Sequence, residues 1–123
     1  MIHLDANFLV ASLREGTKEQ AELLAWLATG DPFTISTVAW AEFLCGPLST
    51  QDETAAHTLL PAPEPLLPVD AELAARLFNQ TGRRSRSLAD CMIAATAIRH
   101  GARLATLNRG DFEPFSPFGL KLV

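Results

Sequence analysis

Long apolar runs are absent from this sequence: its uninterrupted hydrophobic stretches last only a few residues, where a membrane-spanning helix needs roughly 20. A basic leader is missing too, since the chain opens Met-Ile-His-Leu-Asp and already carries an acid at position 5, so no secretory signal is expected. Cysteine is scarce. Cys45 and Cys91 both fall inside apolar helical patterns and are expected as small buried thiols in a reducing, cytoplasmic setting. The three histidines, His3, His57 and His100, have no ligand spacing, which argues against zinc and against Ser-His-Asp or Cys-His nucleophilic chemistry. A glycine-rich phosphate loop of either the Walker or the Rossmann form is not found. Positive charge is in deficit as well: 10 Lys and Arg against 14 Asp and Glu leave a formal net charge of -4. A duplex-binding domain usually presents a basic face. Net charge, however, describes the whole molecule and not where the charges sit.

What is present reads as one α/β domain spanning residues 1–123. Ile2–Leu4 is a short buried strand ended by Asp5, and Phe8, Leu9, Val10 and Leu13 recur at helical spacing. Thr17-Lys18-Glu19-Gln20 and Thr50-Gln51-Asp52-Glu53 look like capping boxes, each opening a helix. Phe33–Ser36 is strand-like, with Ser36 or Thr37 capping a helix over Val38–Cys45. Four prolines crowd residues 61–68, where Leu66–Val69 is expected as a short strand and Asp70 as the cap of Ala71–Gln80. A basic loop, Gly-Arg-Arg-Ser-Arg-Ser at 82–87, precedes a nearly apolar helix over Leu88–His100. Strands at Arg103–Leu107 and Leu120–Val123 flank a turn at 108–111. Strands alternating with helices predict three layers, α/β/α, around a mainly parallel sheet.

Most acids in this scheme are helix-surface or capping residues; four are not so easily placed. Asp5 follows the first strand, and ligands of open α/β sheets bind outside the carboxyl ends of strands; it would equally cap the helix that follows. Glu42 is the only charge in Val38–Cys45, so it is either paired in the core or on a narrow solvent-facing stripe. Asp90 opens an otherwise apolar helix, where the helix dipole favours it whichever way it points. Asp111 sits in a turn after another strand. All four belong to one end of a parallel sheet. Converging carboxylates raise one another's pKa, and a divalent cation removes that cost. Oxygen donors without histidine or cysteine suit Mg²⁺ or Mn²⁺.

The pieces Ile2-His3-Leu4-Asp5-Ala6-Asn7, Glu42 four residues before Gly46, Leu88-Ala89-Asp90-Cys91-Met92-Ile93-Ala94-Ala95-Thr96-Ala97 and Leu104-Ala105-Thr106-Leu107-Asn108-Arg109-Gly110-Asp111-Phe112 occur in this order over essentially the whole chain. In this the chain resembles the PIN-domain nucleases, and most closely the VapC-type toxin subunits of VapBC toxin–antitoxin pairs. The resemblance implies a Mg²⁺- or Mn²⁺-dependent endoribonuclease with Asp5, Glu42, Asp90 and Asp111 at its acidic positions and Asn7, Thr106 and Asn108 as supporting polar groups. Ala6 stands where many relatives carry threonine or serine. A metal-activated water would then cut RNA to leave a 5′-phosphate and a 3′-hydroxyl. The implied partners are RNA and a cognate antitoxin, with a homodimer known for many relatives and no membrane contact. Arg83, Arg84 and Arg86 precede the Asp90 helix, where they either meet RNA phosphates or an acidic antitoxin segment, or form a merely solvated loop.

Two other function classes fit the same outline. A phospho-acceptor receiver domain has a similar length and an acidic metal site, but needs an acidic pair after the first strand and an acceptor aspartate after the central one; Asp5 has no acidic neighbour, and residues 66–69 are followed only by Asp70. A catalytically silent binding module of the same fold would not need its four acids.

Overall fold

The computed structural model describes residues 1–83 and 87–123; Arg84 and Arg86 of the basic loop therefore lie outside the described residues. Four strands, β1 (Ile2–Leu4), β2 (Phe33–Ile35), β3 (Arg103–Ala105) and β4 (Lys121–Leu122), form one sheet in the order β2-β1-β3-β4, every pair parallel. The expected α/β class holds, with a sheet that is wholly rather than mainly parallel. Among the described residues seven α-helices flank it: α1 (Ala6–Ser12), α2 (Lys18–Thr29), α3 (Thr37–Cys45), α4 (Thr50–Leu59), α5 (Pro68–Gln80), α6 (Leu88–Arg99) and α7 (Arg109–Phe112). A 3₁₀ segment, Glu113–Phe118, leads into β4. None of the helices is long and apolar enough to cross a membrane.

The central strands are short and apolar because both faces are covered: Ile2, Leu4, Ile35, Leu104 and Ala105 are all buried. Helix α6 is the most deeply set, with Cys91, Ile93, Ala94, Ala95, Thr96 and Ala97 buried on nearly every side. Its alanines admit close neighbours, and the one internal hydroxyl, Thr96 Oγ1, is satisfied by donating to the Met92 carbonyl at 3.0 Å. Trp26 and Trp40 fill the core margin rather than standing free, stacked on Phe8 and Phe43 respectively.

Several local expectations are corrected. Ser49, not Thr50, caps α4, its hydroxyl taking the Asp52 amide at 3.1 Å. Residues 66–69 form no strand: Pro68 is the first residue of α5, where its missing N–H costs nothing. Asp70 consequently lies inside the first turn, reaching back to the Leu67 amide at 2.9 Å. Strand β3 ends at Ala105, and the turn at 108–111 winds into α7. Of the two thiols Cys91 is buried as expected, but Cys45 is exposed, because α3 turns Ala41, Glu42, Leu44 and Cys45 outward.

One core residue breaks the apolar pattern of β1. His3 is 1% exposed, lies 5.1 Å from the His100 ring, and neither ring nitrogen has a hydrogen-bond partner among the described residues. Burial first, then the nearby His100, Arg99 and N-terminal charges, lower its pKa to about 4, against a weaker opposing pull from Asp70. The unfolded chain takes up a proton near 6.5 that the folded chain refuses, so this histidine costs stability increasingly as pH falls from about 6.5 towards 4. Deleting buried unpaired polar atoms is neutral or stabilising. His3→Leu is expected to match or exceed the wild type by up to about 1 kcal/mol at pH 7.5 in urea denaturation, with a larger advantage at pH 5. A loss above about 1 kcal/mol would show instead that the ring is held by buried water.

Candidate metal centre

The carboxyl ends of β1 and β3 lie side by side, since Leu4 registers with Ala105. The chain leaves β1 at Asp5 and β3 at Thr106, and the two exits are tied together: the Asp5 amide donates to the Ala105 carbonyl at 2.9 Å. Asp5 is 5% exposed. One oxygen, Oδ1, caps α1 by accepting the Ala6 amide at 2.9 Å, and the other, Oδ2, accepts the Thr106 hydroxyl at 2.7 Å. Asp5 thus caps α1, as one of the two sequence readings had it, while standing at the carboxyl end of β1. Thr106 in turn accepts the Asn108 amide at 3.0 Å, and Asn7 Oδ1 accepts the Leu107 amide at 3.1 Å. The polar residues Asn7, Thr106 and Asn108 therefore meet at one seam.

The other three acids arrive from separate elements. Asp90 stands in the first turn of α6, half-buried, and Asp111 in α7, exposed. Glu42 occupies the exposed face of α3, so the solvent-facing reading of that helix is the correct one. They nevertheless share a field. Asp90 is pushed up to about 7, by burial first and then by the charges of Asp5, Glu42 and Asp111. Asp5 is raised by burial, in part offset by its Thr106 and Ala6 hydrogen bonds, and raised further by Asp111. Glu42 is raised by partial shielding and by Asp5. Asp90 thus feels the charges of the other three acids. Among the described residues no cationic side chain is among the groups that shift Asp5, Glu42 or Asp90.

Arg83, the one described arginine of the basic loop, does not join it. The guanidinium Nε donates to Asn79 Oδ1 at 3.1 Å and the Arg83 amide to the Phe78 carbonyl at 3.0 Å, folding the residue back on the end of α5.

The donor chemistry fits a hard divalent cation. All four groups are carboxylates, and among the described residues the groups that shift Asp5, Glu42 and Asp90 include no histidine and no thiol, although the Cys91 thiol is itself raised by Asp90. The side chains stand open rather than closed into a ligand shell: among the described residues no three His, Cys, Asp or Glu groups are placed to hold one ion. Beside Glu42, an open cleft of about 680 Å³ runs between α3 and the segment before α5, lined by Thr37, Val38, Ala41, Glu42, Cys45 and Leu66.

Asp70 is excluded from acceptor chemistry of the receiver type. It is 1% exposed and bonded to Arg99 Nε at 2.7 Å, far from being a free carboxylate.

A family model described as "PIN domain" matches residues 2–114. Three solved structures are similar to this one: FitAcB from Neisseria gonorrhoeae (24% identity over 99% of this chain and 96% of that one, TM-score 0.72), VapBC2 from Rickettsia felis bound to a DNA fragment from their promoter (20%, 100% and 98%, 0.72), and a toxin–antitoxin complex from Klebsiella pneumoniae (26%, 92% and 91%, 0.70). Among curated proteins none matches by sequence.

Proposed function

We propose, from the premise that this chain belongs to the PIN-domain family, that it is a divalent-metal-dependent endoribonuclease and the toxin of a toxin–antitoxin pair. The observation that carries the catalytic half is that Asp5, Glu42 and Asp111 add their charges to the burial that lifts Asp90 to about 7. Likeness to the toxin–antitoxin complex from Klebsiella pneumoniae supports the other half.

Asp5 and Asp90 are the direct ligands of this reading, being the most buried of the four and thus the most constrained in place. Bound Mg²⁺ or Mn²⁺ would supply charge neutralisation and Lewis acidity towards a phosphodiester and its attacking water. Glu42, on the cleft wall and raised in pKa, is suited to take a proton from that water. Asp111 completes the outer side of the site from α7. Thr106 keeps the Asp5 carboxylate from rotating. Preference for RNA rests on access of a single strand to the cleft.

The purified chain is expected to cut single-stranded RNA in Mg²⁺ or Mn²⁺, to stop in EDTA, and to resume on adding excess metal. Products should carry 5′-phosphates. Cutting at an unchanged rate in EDTA would sink the metal-dependent reading. Co-expression with a protein encoded beside this chain should silence the activity if it is the antitoxin.

A further inference from the structure

Resting on the nuclease reading, we infer that Asn7 is a positioning residue: its side-chain oxygen holds the Leu107 amide, and so fixes the turn carrying Asp111 against the strand end carrying Asp5. Two of the four acids lie on segments that follow neighbouring strands, and nothing in strand pairing beyond Ala105 sets the spacing between them. Residues 107–111 are exposed, and an exposed turn can satisfy its amides with water in many arrangements. Here the amides are committed instead. Leu107 donates to Asn7, Asn108 donates to Thr106 Oγ1, and the Asp111 amide donates to the Asn108 carbonyl at 3.0 Å. Thr106 Oγ1 itself donates to Asp5 Oδ2. A continuous chain of bonds therefore runs from the Asp5 carboxylate to the backbone of Asp111, pinned from the side of α1 by Asn7.

The residue type matters. A carboxamide offers a neutral acceptor at this reach, whereas an aspartate would offer the same acceptor with a further negative charge beside four carboxylates that already repel one another. Alanine offers nothing. Because the Asn7 side-chain oxygen is engaged with the Leu107 amide, its influence on the acids passes through that amide.

The test pairs Asn7→Ala with Asn7→Asp. Amide hydrogen exchange by NMR should show Leu107 losing protection in Asn7→Ala and keeping it in Asn7→Asp. Mn²⁺ binding, measured by electron paramagnetic resonance well below the melting transition, should weaken about 10-fold in Asn7→Ala, the low end of what loss of a supporting hydrogen bond does to metal sites. Cutting should return at saturating Mn²⁺. A merely structural role would lower the melting temperature and leave the Mn²⁺ dissociation constant unmoved. In Asn7→Ala, wild-type exchange at Leu107, or Mn²⁺ binding within twofold of wild type, overturns the inference while leaving the nuclease reading intact. A wild-type chain that neither binds Mn²⁺ nor cuts RNA overturns both.

Discussion

Asp90→Asn is expected to abolish RNA cutting and, in the same protein free of metal, to raise the melting temperature. The two effects have one cause. Asp90 is half-buried at the start of α6, where three other carboxylates act on it, and its pKa stands at about 7 against an ordinary 3.8. An acid whose folded pKa is raised binds protons more tightly folded than unfolded, so stability falls as pH rises from about 4 to about 7 and stays low above. Asparagine removes that penalty. The shift would convert to about 4 kcal/mol at full weight, but solvent still reaches this site, and a discounted gain of about 1–2 kcal/mol is the reasonable expectation. For a chain of this length that is about 5 °C at pH 8, dwindling towards pH 4. Catalysis moves the opposite way. Loss of a direct ligand forfeits several kcal/mol of charge stabilisation, hence about 1000-fold or more in rate. Asp5→Asn should be equally inactive, with a smaller thermal gain because its carboxylate is already held by Thr106 and Ala6. Cleavage assays and melting curves at pH 5 and 8 check both halves. A variant that cuts at wild-type rate removes Asp90 from the site; one that melts lower than wild type at pH 8 shows that the carboxylate is stabilising after all.

The four acids could be singled out in the sequence by their positions. Asp90 and Glu42 interrupt apolar helices, and Asp5 and Asp111 follow strands. Asp5 and the segment leading to Asp111 leave neighbouring strands because β1 and β3 pair in parallel, as strand–helix alternation foretold. Asp70 was misread for the converse reason. A carboxylate beside a proline at a helix start fits its neighbourhood perfectly well as a cap, and its ion-pair partner lies 29 residues on, at the far end of another helix. No spacing rule reaches that far. His3 escaped for a similar reason: in a three-residue strand no alternation separates a core position from a solvent one, and its neighbour His100 comes from the end of α6. Cys45 was taken for core because α3 is apolar almost throughout, although one face of it is left to the cleft.

Arg99→Met should be the most destabilising single substitution outside the hydrophobic core, and its cost should shrink in acid. Arg99 is three-quarters buried, and its Nε meets Asp70 Oδ1 at 2.7 Å while Nη2 donates to the Pro65 carbonyl at 3.2 Å. Burial alone would push the Asp70 carboxyl up. Hydrogen bonds from Arg99 and the Leu67 amide, with the Arg99 and His100 charges, outweigh it and hold the group below its ordinary value. A paired acid of this kind contributes stability that is present above the unfolded pKa and is lost as pH falls through the folded one. Removing the guanidinium inverts the balance, leaving a buried carboxylate that prefers its proton. Such a break costs about 3 kcal/mol at pH 7. Near pH 4, where the stranded group is protonated, about half of that should return. The double variant Asp70→Asn/Arg99→Met should recover most of the loss at pH 7, because asparagine still accepts the Leu67 amide without a charge. The damage should centre on the proline-rich segment before α5. There Glu64 accepts the Thr37 amide and donates its own to Ile35, while the Leu66 amide reaches the Thr37 hydroxyl, so this segment braces the start of α3 and with it Glu42. Urea denaturation at pH 7 and pH 4 decides the matter. A cost below about 0.5 kcal/mol at pH 7, or one that does not change between the two pH values, would show that solvent already screens the pair.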